Sequence, residues 1–251
     1  MSIDLILILF VVGMIAGCVS SIAGGSGLIT FPVLLSIGLP PTIANATNFV
    51  SVLMGNAAAL PAYVRELGKY RGPALRMVCA GLAGGGIGSV MLLNSSDTLF
   101  LELVPWLISA ATLLFALSGK IKVFVSTKKI GFATLNSPLG YVLVFIVSIY
   151  GGYFGAGLGV ILLATLSIIG FTNFHEANAL KNLTNTMIGL LGVIIYAFAG
   201  LISWPHALIL MTGSAVGGYF GVRLARFVPQ LWLSNCIVVL GVILSIYYFL
   251  N

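Results

Sequence analysis

Charge is missing from most of this chain, in runs long enough to cross a lipid bilayer. No Asp, Glu, Lys or Arg lies between Leu5 and Leu101 except in the stretch Arg65 to Arg76 and at Asp97. Further charge-free runs extend from Ile130 to His175, from Asn182 to Val222 and from Phe227 to Asn251. A helix needs about 20 mainly apolar residues to cross the hydrocarbon core, so each run holds one or more spans. Only 6% of the 251 residues are charged and 60% are hydrophobic, with a mean hydropathy of +1.17. A soluble domain carries about 25% charged residues. The expected fold class is therefore all-α, a polytopic membrane protein. The first apolar run, from Ile3, has no basic leader or cleavage pattern and reads as a retained span.

Glycine, proline and charge clusters divide the chain into ten segments, roughly 4–22, 27–37, 42–64, 73–93 and 99–118, then 136–153, 157–169, 174–200, 204–222 and 230–250. The second and seventh are too short to span upright, which predicts broken or re-entrant helices. Shifting the chain by 132 residues superposes Gly25 on Gly157, Gly27 on Gly159, Gly38 on Gly170, Gly68 on Gly200, Gly81 on Gly213, Gly85 on Gly217 and Gly86 on Gly218. One ungapped offset serves them all, so the pattern predicts a duplicated five-segment unit. The expected organisation is a first membrane repeat over 1–119, a cytoplasmic linker over 120–135 and a second membrane repeat over 136–251.

The loops orient the two copies. Arg65, Lys69, Arg71 and Arg76 surround the loop after the third segment, while the matching loop around Gly200 to Ser203 has no charge. Arg223 and Arg226 follow the ninth segment, while the matching turn from Asn94 to Asp97 is neutral to acidic. With these basic loops and Lys120, Lys122, Lys128 and Lys129 in the cytoplasm, ten of the eleven Lys and Arg residues lie inside and both termini lie outside. Only Lys181 falls within a span. Five segments per copy is odd, so the copies have inverted topology, a plan that recurs in secondary transporters. The net charge of +6 is thereby a topology signal in an inner membrane, and nucleic acid is not an expected partner.

Ser21, Gly24, Gly25, Ser26 and Gly27 precede the first short segment, and Gly155, Gly157 and Gly159 open the second. Broken helices present unpaired N–H groups and a positive dipole end, which suit an anion. The alternative is that Gly151, Gly155 and Gly159, at four-residue spacing, serve only close helix packing. Thr47, Asn48 and Ser51 follow the first break, and Asn178, Lys181, Asn182 and Asn185 follow the second. Such side chains either bond neighbouring helices or line a polar cavity. Lys181 reads either as a ligand-pairing cation or as a side chain snorkelling to the cytoplasmic interface. Glu176 stands three residues after Asn173, a capping-box spacing. Cys18, Cys79 and Cys236 are dispersed through apolar runs, so no disulfide or metal framework is expected, and no nucleophile, base or cofactor motif is visible.

The run from Ser21 to Pro32, with Gly38-Leu39-Pro40-Pro41 and Ala46-Thr47-Asn48, resembles the first repeat of the TauE/SafE sulfite exporter family of membrane permeases. Gly151 to Gly159 and Ala179-Leu180-Lys181-Asn182 are similar to its second. The resemblance implies a transporter without a bound cofactor, carrying sulfite, sulfoacetate or related organosulfonates, and a substrate role for Lys181. Its expected partners are the small anion and the bilayer, with a homo-oligomer admissible. The rival readings are a proton- or cation-coupled carrier of another small metabolite and a non-transporting membrane assembly scaffold.

Overall fold

A computed structural model describes residues 1–22, 24–128, 138–171, 173–224 and 230–250. Among them every regular element is a helix. In chain order they are α1 (Ile3–Ile22), α2 (Gly27–Ser36), α3 (Pro41–Ala57), α4 (Val64–Lys69), α5 (Arg71–Leu93), α6 (Asp97–Lys128), α7 (Pro138–Tyr153), α8 (Leu158–Ile168), α9 (Phe174–Phe198), α10 (Trp204–Leu224) and α11 (Gln230–Leu250). The ten expected segments reappear with two changes. The third divides into α3, a 3-10 turn over Leu60–Tyr63 and the short α4, because Pro61 removes a backbone donor where the helix would continue. The fifth runs on to Lys128, well into the stretch expected as a linker.

Burial is inverted relative to a water-soluble bundle. On α1, Ile3, Leu7, Val11 and Ile15 form an exposed apolar stripe, while Ser20 and Ser21 at its far end are buried. Asn45, Thr47, Asn48 and Ser51 on α3 and Asn178, Lys181, Asn182, Thr184 and Asn185 on α9 are also buried. A surface of aliphatic side chains over a polar interior is stable only when the surrounding solvent is hydrocarbon. Among the described residues four helical stretches are long and apolar enough to cross a membrane: Ile3–Ile22, Pro41–Lys69, Arg71–Leu93 and Phe174–Phe198. The chain is a polytopic α-helical membrane protein.

Helix packing pairs the halves of the chain in a regular way. The end of α1 leads into α2, as α7 leads into α8. Helix α1 packs on α10, and α7 on α5; α3 packs on α10, and α9 on α5; α6 meets α8, and α11 meets α2. Replacing each helix of one half by its counterpart in the other maps these pairs onto one another. α3 meets α9, and α6 meets α11, at the centre of this exchange.

The interfaces α1–α10 and α5–α7 bring backbone against backbone. A β-carbon at Gly217 would stand 3.0 Å from the Cys18 nitrogen, and one at Gly221 would stand 2.7 Å from the Cys18 Cα. One at Gly88 would stand 2.7 Å from the Tyr153 nitrogen. Only glycine permits that approach, which supplies the dispersion contact that holds helices together where lipid removes the hydrophobic drive.

Candidate functional site

The two chain breaks are built from left-handed glycines. Gly24 and Gly25 end α1 at φ 83° and 92°, and Gly155 and Gly157 stand between α7 and α8 at φ 74° and 79°. A side chain would be strained at each of these φ values. The breaks meet in the protein interior. A β-carbon at Gly159 would stand 2.8 Å from the Gly24 Cα, and one at Gly27 would stand 2.9 Å from the Ala156 Cα. The same probe at Gly159 touches Asn185 Nδ2 and Lys181 Cδ at 3.1 Å each, and that at Gly27 touches Asn48 Nδ2 at 3.1 Å.

The severed helix ends are capped by side chains from the long helices. Lys181 Nζ donates to the Ser20 carbonyl at 2.8 Å, and Asn178 and Asn182 donate through Nδ2 to the Ser21 carbonyl at 3.1 and 3.4 Å. Asn178 Nδ2 also donates to the Tyr63 hydroxyl at 2.7 Å. At the other break Asn45 Nδ2 donates to the Tyr153 carbonyl at 2.9 Å, and the Tyr196 and Ser89 hydroxyls donate to the Gly152 carbonyl at 2.5 and 3.4 Å. Asn45 and Asn178 stand 133 residues apart and bond carbonyls 132 residues apart. In this register Asn48 is the counterpart of Lys181. A cation at a helix C-terminus is favourable, and only one break has one.

At the opposite helix end, α8 begins with Gly157 as its cap and no side-chain cap. Leu158 N and Val160 N reach the carbonyls of Gly155 and Gly157, whereas the N–H groups of Ala156, Gly157 and Gly159 find no backbone acceptor among the described residues. Lys181 is fully buried, its ammonium has the Ser20 carbonyl as hydrogen-bond partner, and the described ion pair of the chain lies elsewhere. A buried lysine facing only a neutral carbonyl has no counter-ion among the described residues, and its charged form would need one.

A small cavity of about 10 Å³ lies beside this point, lined by Asn48, Phe49, Val52, Gly155, Leu158, Asn185, Ile188 and Gly189 among others. It has room for about one water. Asn48 Nδ2 and Asn185 Oδ1 are buried without partners there, and Asn178 Oδ1 and Asn182 Oδ1 are likewise unpaired.

Of the residues singled out by sequence, Ser21, Gly24, Gly27, Asn48, Gly155, Gly159, Asn178, Lys181, Asn182 and Asn185 come together at the breaks. Gly25 and Gly157 provide the left-handed turns. Ser26 does not cap α2 with its hydroxyl; its carbonyl accepts from Thr30 Oγ1 at 3.1 Å. Thr47 is turned away, its hydroxyl accepting from Ser203 N at 3.0 Å. Ser51 is buried without a partner. Gly151 packs against Leu158 and Gly155 lies against the Phe49 ring, so these glycines also serve packing. Sequence reasoning missed Tyr63, Thr30, whose hydroxyl contacts Asn48 Oδ1, and Tyr196. Tyr63 sits in the 3-10 turn that Pro61 announces.

One end of the molecule is fastened by a separate cluster. Glu176 accepts from Tyr70 OH at 2.6 Å and Lys69 Nζ at 3.2 Å. Its carboxylate therefore does not close the capping box, although Asn173 Oδ1 does accept from His175 N and Glu176 N at 2.9 and 3.4 Å. The hydrogen bond to Glu176, then burial and the carboxylate charge, hold the Tyr70 hydroxyl above its ordinary pKa. At the far end Thr42 N and Oγ1 donate to Asp97 Oδ1 at 3.0 and 2.7 Å. Helix α5 runs between these two ends, so α3 and α9 start from opposite sides and run antiparallel.

Interrupted helices meeting in an apolar bundle, with a polar interior and a buried lysine, define a membrane transporter. The chain belongs to the sulfite exporter TauE/SafE family, whose model matches residues 9–248. It is 28% identical over 97% of its length to a "Probable membrane transporter protein" of Haemophilus influenzae, covering 94% of that protein. It is 26% identical over 95% of its length to the "Probable membrane transporter protein YfcA" of Escherichia coli K12, covering 87% of it. The "Probable membrane transporter protein YunE" of Bacillus subtilis is 24% identical over 87% of this chain and 88% of its own. No solved structure matches.

Proposed function

We propose that this protein moves small oxyanions of the sulfite and organosulfonate type, sulfite and sulfoacetate among them, across the inner membrane by alternating access. The observation that carries the reading is Lys181: a fully buried lysine side chain bonded to one carbonyl, beside the unpaired N–H groups that open α8. An anion supplies the missing counter-charge, and helix N-termini accept oxyanions readily. Ser21, Gly24, Gly25, Ser26, Gly27, Asn48 and Ser51 from one half and Gly155, Gly157, Gly159, Asn178, Lys181, Asn182 and Asn185 from the other are the proposed substrate-binding set, without Thr47, whose hydroxyl is taken by Ser203 N. The small central cavity corresponds to a closed form that widens to admit substrate.

The symmetric exchange of helix contacts and the antiparallel α3 and α9 support two inverted repeats. The end holding Arg65, Lys69, Arg71 and Arg76 is the cytoplasmic one in this reading. An inside-negative potential then favours anion exit by about 2.3 kcal/mol per charge per 100 mV, so export needs no obligatory coupling ion.

Purified protein in liposomes loaded with sulfite or sulfoacetate is the test, with wild type compared against Lys181→Ala. Wild type should release anion well above protein-free vesicles and the variant should not. Flux at the protein-free rate for every sulfonate tried, or wild-type flux in the variant, would defeat the proposal.

A further inference from the structure

The close-packed interfaces of this fold do not lie within its two halves; they join them. On one side α1 of the first half is sealed to α10 of the second by Gly13, Gly17, Gly213, Gly217 and Gly221, with α3 drawn in where Gly218 faces Gly55. On the other, α5 of the first half is sealed to α7 of the second by Gly84, Gly88 and Gly152, with α9 packed on α5. Such an interface, running backbone against backbone along several helix turns, has no side chains that can change rotamer, so it moves as one piece.

The contact between α3 and α9 is of another kind. It is made by side chains and contains the central cavity, where Asn48, Phe49 and Val52 face Asn185, Ile188 and Gly189. Two buried polar atoms without partners, Asn48 Nδ2 and Asn185 Oδ1, belong to residues lining it. The hydrogen bonds that cross from one side of the molecule to the other come mostly from exchangeable side chains at the breaks: Lys181, Asn178 and Asn182 onto the end of α1, and Asn45 onto the end of α7.

We infer that the moving parts are two mixed bodies, α1–α3–α10 and α5–α7–α9, and that the substrate path is the seam between α3 and α9, with Val52 and Ile188 on its walls. Each body takes helices from both halves of the chain, so a rigid first half rocking against a rigid second half is excluded by the same geometry. The broken-helix ends lie on this seam. Parting it separates the short backbone contacts that Gly24 and Gly27 make with Gly159 and Ala156 at the breaks, and exposes Lys181 and the start of α8 while the two long interhelical glycine interfaces stay shut. This inference rests on the transport reading above and adds which surfaces separate.

Two measurements decide it. A β-carbon at Gly189 would stand 3.3 Å from the Leu53 Cβ, close to the roughly 3.5–4.5 Å that a disulfide spans. In a background with Cys18, Cys79 and Cys236 replaced by Ala, Leu53→Cys with Gly189→Cys should transport when reduced. When oxidised it should lose at least about tenfold in flux, restored by a thiol reductant. Oxidised protein, with its free thiols counted as gone, that transports like the reduced form overturns the inference.

The second measurement needs no transport and covers a double variant that folds poorly. Val52→Cys and Ile188→Cys, each introduced singly with Cys18 kept and Cys79 and Cys236 replaced by Ala, are exposed in liposomes to a water-soluble methanethiosulfonate. The introduced thiols should react at least about tenfold faster than Cys18, which sits in the α1–α10 interface. Equal or slower reaction overturns the inference. Fast reaction in protein that carries no sulfonate would leave the seam intact and remove the anion reading instead.

Discussion

The two chain breaks share one backbone plan and differ in charge. At the first, the last carbonyls of α1 are held by Lys181, Asn178 and Asn182; at the second, those of α7 are held by Asn45, Tyr196 and Ser89, all neutral. Where α9 presents Lys181, α3 presents Asn48. Matching backbone turns thus need not mean matching chemistry. The backbone geometry demands capping donors at both breaks, whereas a cation at one of them meets a demand that capping alone does not make, since asparagine satisfies the same kind of carbonyl across the molecule.

The sharpest way to break this comparison is Lys181→Met. Removing one side of a buried charged contact costs about 2–5 kcal/mol of binding, so the apparent Kd for sulfite should rise at least about 30-fold. The same change removes a desolvated ammonium from the interior and should raise the detergent melting temperature. A thermal melt with and without sulfite checks both, and a variant that binds normally while melting lower would reduce Lys181 to a helix cap.

Asn178→Ala and Asn45→Ala form the matched pair. Asn45→Ala strands the Tyr153 carbonyl, and Asn178→Ala leaves the Ser21 carbonyl to Asn182 alone and removes the donor to the Tyr63 hydroxyl, so each should destabilise by about 1–3 kcal/mol. If the charge marks the ligand side, only Asn178→Ala should also weaken sulfite binding, which isothermal titration can measure; equal losses in both would mean the site is shared evenly. Tyr196→Phe should cost about 1 kcal/mol in stability through its Gly152 contact and leave binding unchanged.

The smallest effect belongs to Glu176→Gln. The Lys69 partner is largely exposed, so the change should cost less than about 1 kcal/mol and shrink further in high salt. Tyr70 adds a pH test. Its folded pKa lies above the ordinary 10.0, so its contribution is complete below that value and fades as pH climbs through the folded pKa. Tyr70→Phe should therefore lower the melting temperature equally at pH 6 and pH 9.

Much of this architecture could be read from the chain because lipid leaves few choices. A charge-free run of span length ends where glycine, proline or arginine ends it, and α5, α9 and α11 begin and end within about two residues of expectation. The break glycines were legible for a related reason: the paired Gly25 and Gly157, and Gly38 and Gly170, all adopt left-handed φ. The cap around Lys181 was less visible. Ser20 accepts through a carbonyl, which every residue has, and Tyr63 enters from a turn that looked like the tail of a longer helix. The register of α9 also hid Asn48 as the partner of Lys181, because one extra residue before Phe174 moves the local offset from 132 to 133. The division into α1–α3–α10 and α5–α7–α9 depends on which glycine faces which helix. Spacing along one helix marks a packing stripe but leaves its partner unnamed.

The length of α6 has a consequence of its own. At about 1.5 Å per residue, its 32 residues extend about 48 Å, against about 30 Å of hydrocarbon. Its uncharged part, from Leu103 to Gly119, already fills most of that thickness, so the remaining turns to Lys128 continue past the acyl chains as a stiff rod. Nearer its middle α6 packs on α8 and α11, with Ala111 against Gly157. A domain fused after Lys128 is therefore expected to load the helix that braces the second break, and a slower turnover with a bulkier fusion is the outcome that checks it.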